Sequence, residues 1–177
     1  MGFIIIIAAT AALLYFLCRS PKTNKTLNIP EIYRVNSISD IVMSVNHGRI
    51  YPFYTRMNLM RAKAEAGKIC ADKEKFDSFI QMQEIMGLKP YFDIPISNSY
   101  IERISVMFSN QGLVSSIGID IKNFDVNMKP LIEEMVVKFG RPTSMSDEFI
   151  IWREACMVIN IHKEGSLSII DESIFGR

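Results

Sequence analysis

Residues Gly2 to Cys18 read GFIIIIAATAALLYFLC, 17 consecutive positions without a charge. No other feature limits the chain as strongly. As a helix rising about 1.5 Å per residue the run is ~25 Å long, near the lower limit for crossing a bilayer core. Apart from Thr10, which can bond back to its own helix, only the Tyr15 hydroxyl would have to be desolvated. An extreme N-terminal helix that is apolar on every side does not suit a soluble core. A cleaved signal peptide needs a basic start and small residues before the cut, and Tyr15-Phe16-Leu17 offers bulk instead. The same residues argue against a lipoprotein signal ending at Cys18, and Ile6 stands where myristoylation expects Ser or Thr. The expectation is an uncleaved single-pass anchor over residues 1–18, with the bilayer as the partner of residues 2–18. Cys18 at its boundary is a candidate for acylation.

Of the 86 apolar residues, 16 lie in the first 18 positions. The other 159 positions hold 70, or about 44%, as in an ordinary soluble domain. A polytopic membrane protein, a disordered chain and a disulfide scaffold are excluded on these numbers. Residues 19–75 carry 11 basic and 5 acidic groups, whereas residues 76–177 carry 9 and 14. Arg19, Lys22 and Lys25 follow the apolar run, which by the positive-inside rule favours a cytoplasmic C-terminal part. The short N-terminus argues for export. An inner-membrane location is expected, with the two sides evenly weighted.

Residues 19–33, with Pro21 and Pro30, read as a polar tether. A helical lobe is expected over 34–98. Ser37 caps a first helix with Ile38, Ile41, Val42 and Val45 on one face and Gly48 closing it. A second helix is predicted from about Thr55 to Ala66, and a third from the Asp72 cap to Gly87. Over 99–177 the period changes. Ile104, Val106 and Phe108 alternate, Asn110-Gln111-Gly112 turns, and Ile117, Ile119 and Ile121 alternate back, predicting a hairpin. Met128, Leu131, Ile132, Met135, Val136 and Phe139 form one helical stripe, with a cap around Asp125–Asn127 and Gly140 as the stop. Strands at 148–153, 156–162 and 166–171 complete a β-β-α-β-β-β unit. The expected fold is α+β: an antiparallel sheet of about five strands with one helix across it, and 34–177 as one compact domain.

Chemistry is sparse. His47 reads as a helix-end residue, and His162 stands about 20 Å from Cys156 along one strand at ~3.3 Å per residue, too far for one metal ion. No Gly-rich phosphate loop and no strand–Ser–helix elbow occurs. Glu133-Glu134 fall on a polar helix face. No cofactor, metal or catalytic set is expected, and the chain reads as non-enzymatic. The enzyme alternative rests on Cys70, which has basic neighbours, or on scattered carboxylates. Cys70 and Cys156 form a disulfide candidate for an oxidising compartment.

Tyr51, Phe53, Tyr54 and Arg56, together with Tyr91 and Phe92, are the candidate partner-binding residues, since Tyr and Arg dominate interface hot spots. Their competing role is to dock the helices on the sheet. Arg49, Arg56, Arg61, Lys63 and Lys68 interleaved with these aromatics suggest a weaker alternative, nucleic acid or anionic lipid; a net charge of +1 opposes nucleic acid. The expectation is an anchored domain that binds another protein, as a bacterial envelope inhibitor or immunity-type protein does, or an accessory subunit of a membrane machine.

Overall fold

A computed structural model describes residues 31–70 and 72–175. The apolar run, most of the tether and Cys18 lie outside the described residues. Among the described residues no helix is long and apolar enough to cross a membrane. The expected tether ends early: after Glu31 a single 3-10 turn, Ile32–Arg34, buries Ile32 completely, and its N–H donates to Tyr51 O at 2.9 Å.

The fold is α+β. Helix α1 (Ile38–Ser44) starts as expected, with Ser37 accepting from the Asp40 N–H. It stops earlier than expected, because residues 45–54 turn into a small antiparallel sheet. Its strands are β1 (Val45–Asn46), β2 (Arg49–Ile50) and β3 (Phe53–Tyr54). His47 and Gly48 therefore make a two-residue hairpin loop, not a helix end. Gly48 takes φ +74°, the left-handed region that a hairpin of this length requires. Helix α2 (Leu59–Ile69) is capped by Asn58 and helix α3 (Lys73–Ile85) by Asp72.

The large sheet has seven strands, two more than expected. These are β4 (Tyr91–Pro95), β5 (Ile101–Phe108), β6 (Val114–Ile121), β7 (Ser144–Met145), β8 (Phe149–Glu154), β9 (Met157–His162) and β10 (Ser166–Asp171). Their spatial order is β4-β5-β6-β10-β9-β8-β7, and every neighbouring pair is antiparallel. The strands missed in the sequence, β4 and β7, form its two edges. Because β4 falls within residues 34–98, the expected boundary at 98/99 cuts through the sheet. The helices do not form a separate lobe: Ile41, Ala62, Phe76 and Ile80 share one buried cluster with Ile104, Ile117 and Ile169.

Helix α4 (Phe124–Phe139) crosses that sheet face with Leu131 and Met135 buried. It begins at Phe124, about a turn before the first residue of the expected stripe, Met128. Phe124 is buried, and Asn123 supplies the turn through a left-handed backbone and its carbonyl. Pro130 consequently sits inside the helix. Near its C-terminus, the Lys138 ammonium donates to Val42 O at 2.7 Å, to Met43 O at 3.3 Å and to Val45 O. A lysine from a helix 93 to 96 residues away thus gathers carbonyls at the C-terminal end of α1, of which Val42 O also accepts from the Val45 N–H.

Candidate functional site

Strand alternation divides the large sheet into two unlike faces. One carries Phe92, Ile104, Ile119, Leu167, Ile161 and Ile150, which are all fully buried beneath the helices. The register assigns the other face. Tyr91, Met107, Ser116, Ile170, Val158 and Arg153 oppose one another in a row across six strands. Next to it runs Asp93, Ser105, Gly118, Ser168, Asn160 and Ile151, and beyond that Pro95, Arg103, Asp120, Ser166, His162 and Phe149. The middle row is small and polar over four strands, so it forms a trough between bulkier rows. Val158 is 5% exposed yet is no part of the core cluster, and neither are Ile170, Ile151 and Phe149. They make a second apolar surface, on which Met107 is 46% exposed and Tyr91 39%.

The charges on this face are paired with one another. Arg103 bonds Asp120 at 2.7 Å and reaches Asp93 at 3.4 Å, and Arg153 pairs with Glu172. His162 stacks edge-on against Phe149 with centroids 4.6 Å apart. The face therefore offers apolar contact and hydrogen-bonding groups with little free charge.

A groove of about 380 Å³ opens where this face meets the β4 edge. Phe76, Phe79 and Lys75 from α3 form one wall, Tyr91, Asp93 and Pro95 the other, and Cys70 and Asp72 lie at its end. Phe79 meets Tyr91 edge-on at 5.9 Å, and Phe76 meets Phe92 at 5.3 Å. Burial and the nearby Asp93 carboxylate raise the pKa of Tyr91, which keeps its hydroxyl protonated as a donor. The Cys70 thiol points to Asp72 O at 3.3 Å, a carbonyl that cannot act as a base. Among the described residues no cluster of three His, Cys, Asp or Glu side chains is placed to hold a metal ion.

The expected partner residues separate. Phe53 and Phe92 are fully buried and serve the core, the competing role given to them above. Tyr51 is half-buried, and its backbone carries the contacts to Ile32 and Ser44. Tyr54 lies between two guanidinium groups, Arg49 at 5.6 Å and Arg61 at 5.3 Å from its ring centre. Arg56 is committed to structure. Its Nε donates to the buried Asp171 carboxylate at 2.8 Å and its Nη2 to Ser173 Oγ at 3.0 Å. Lys68 pairs with Glu65 at 2.8 Å, so two of the five cations of the expected basic stripe, Arg56 and Lys68, are paired with carboxylates. Tyr91 alone of the six reaches the open face.

The expected Cys70–Cys156 bridge does not form: both thiols are free. Cys70 lies beyond the outer edge of β4, whereas Cys156 sits in the turn between β8 and β9. Four strand spacings between β4 and β9 amount to roughly 19 Å, against the ~7 Å between Cα atoms that a disulfide tolerates.

Sequence reasoning missed Met107, Ile151, Val158 and Ile170 as surface. Each is apolar, and only the register shows which face it takes. No protein family, curated protein or solved structure matches this chain.

Proposed function

We propose that the protein is a non-enzymatic domain, held at the inner membrane by residues 2–18, that binds another protein. It acts as an inhibitor or immunity-type protein of a bacterial envelope, or as an accessory subunit of a membrane machine. The observation that supports this reading is the apolar row of the open sheet face. Met107 and Tyr91, 46% and 39% exposed, leave apolar surface of that row in water, and covering it is favourable. Paired charges beside that row fit the composition of protein interfaces, whose centres carry few free charges.

A photocrosslinking residue placed at Met107 tests it in the cell that makes the protein. Val137 on α4, 88% exposed and on the opposite side of the sheet, is the control position. The expected result is one discrete adduct from Met107 and none from Val137. No adduct from Met107, or the same smear from both, overturns the reading.

A thiol enzyme is the second reading, favoured by one observation: Cys70 lines the groove beside α3. Cys70→Ser separates the two. Full cellular function of the variant removes the thiol chemistry, and loss of function in a variant that still folds supports it.

A further inference from the structure

We propose that the groove beside β4 binds an extended peptide segment of a partner protein, which adds to the β4 edge as an eighth strand of the large sheet. This goes beyond the open-face reading and rests on different atoms.

The backbone of β4 decides the matter first. Gln83 Nε2 donates to Tyr91 O at 3.1 Å, and the Tyr91 N–H donates to Gln83 Oε1 at 3.2 Å. Tyr91 therefore turns its backbone groups away from β5. Further along, the Ile96 N–H donates to Glu102 O at 2.8 Å, so the even-numbered residues face β5. In an antiparallel pair this alternates strictly. The Asp93 N–H and C=O and the Pro95 C=O point outward, and no partner for them exists among the described residues. Two acceptors and one donor are thus presented along one line, at the spacing that only another extended backbone matches.

The groove supplies the side-chain half of the recognition. Helix α3 converges on β4 at Gln83, where a glutamine amide imitates the next strand, and diverges toward its own N-terminus. The wedge so formed is walled by Phe76 and Phe79. A residue paired with Asp93 would share the open face with it, while the residues on either side would point toward the helix. The ligand chemistry that fits is a short strand with apolar side chains at alternate positions. Strand addition of this kind takes affinity from the main chain and specificity from alternate pockets. Pro95, which lacks an N–H, and Gln83 bound the open edge on either side and limit pairing to a short segment.

The experiment is a display selection of random peptides of about seven residues on the full-length protein in nanodiscs, followed by an N-methyl scan of the best binder. N-methylation deletes one backbone donor without touching a side chain. Loss is expected at two positions only, two residues apart, whose N–H groups meet the Asp93 and Pro95 carbonyls, about tenfold at each, with the other positions unaffected. The Asp93 amide is expected to exchange more slowly in the complex, and Phe79→Asp, in a protein that still unfolds cooperatively, to abolish binding. A flat N-methyl profile, an unprotected Asp93 amide, or binding that Phe79→Asp leaves intact overturns the proposal. So does a selection that enriches no peptide, or a groove that takes only small apolar molecules or a second copy of this chain. None of these outcomes changes the Met107 crosslink, so failure here and failure of the open-face reading are told apart.

Discussion

Asp171 is a carboxylate with no exposed side-chain surface at the end of β10, and three groups converge on it. Burial alone would push its pKa up. Hydrogen bonds from Arg56 and from the hydroxyl and N–H of Ser173 outweigh that, and the group is held below its ordinary value of 3.8. A carboxylate with a depressed folded pKa contributes stability that is complete above its unfolded pKa and disappears as pH falls through the folded one. Wild-type protein is therefore expected to lose stability below about pH 4 in part through this site. Asp171→Asn is expected to cost on the order of 1–3 kcal/mol at pH 7 and to flatten that part of the acid limb. Urea unfolding from pH 3 to 7 reads both effects, and parallel curves for the two proteins would contradict them. Lys138 makes a comparable case without a carboxylate. Replacing it with Met removes the donor shared by three carbonyls at the end of α1, and a loss of about 1 kcal/mol is expected. Lys138→Arg is expected to rescue only part, since a planar guanidinium cannot converge on three carbonyls as an ammonium does.

Among the elements, the β4 edge is the most exposed to error, because an unpaired strand edge is a template for unwanted pairing. Gln83 occupies one residue of that edge. Gln83→Ala is expected to cost about 1–3 kcal/mol by leaving the Tyr91 backbone unsatisfied, and to speed hydrogen exchange at the Tyr91 amide. Unchanged exchange would show that the glutamine does not guard the edge in solution. Neither β4 nor Gln83 could be recognised in the sequence. Pro90 and Pro95 bracket Tyr91–Ile94 and read as loop punctuation; Gln83 falls on the Phe76, Phe79 and Ile80 face of its helix, but its bonds to the Tyr91 backbone depend on a strand the sequence does not reveal. By contrast, β5, β6 and β8 to β10 were legible because their alternation is long enough to show a period of two. Ser37 and Asp72 were legible as caps because capping is a local hydrogen bond. The two-residue strands β1, β2, β3 and β7 have no period to detect. The start of α4 was misplaced because the Asp125–Asn127 region offers side chains able to cap, whereas burial of Phe124 pulls the start a turn earlier. The groove was half legible, since Tyr91 and Cys70 stand out alone, but only the tertiary fold sets them beside Phe79.

For the molecule as a whole, the functional reading depends on one asymmetry, that helices cover one face of the seven-stranded sheet and nothing described covers the other. Two consecutive residues of β10 measure it. Ile169 faces the core and is fully buried, whereas Ile170 faces the open side between Ser116 and Val158. Ile169→Ala removes buried methylene groups and leaves a cavity, at an expected cost of about 2–5 kcal/mol. Ile170→Ala in the isolated protein is expected to cost less than about 1 kcal/mol, because its side chain already meets water and no cavity is closed behind it. Both are read by urea unfolding, with the slope checked for constancy. The contrast tests more than packing. If Ile170→Ala cost as much as Ile169→Ala, the open face would already be covered in solution, by a second copy or by part of the chain outside the described residues. The Met107 crosslink would then report that cover and no separate partner. If the contrast holds in the isolated protein and narrows in the complex with the partner, the partner itself supplies the missing layer, and the difference between the two settings measures how much of Ile170 it buries.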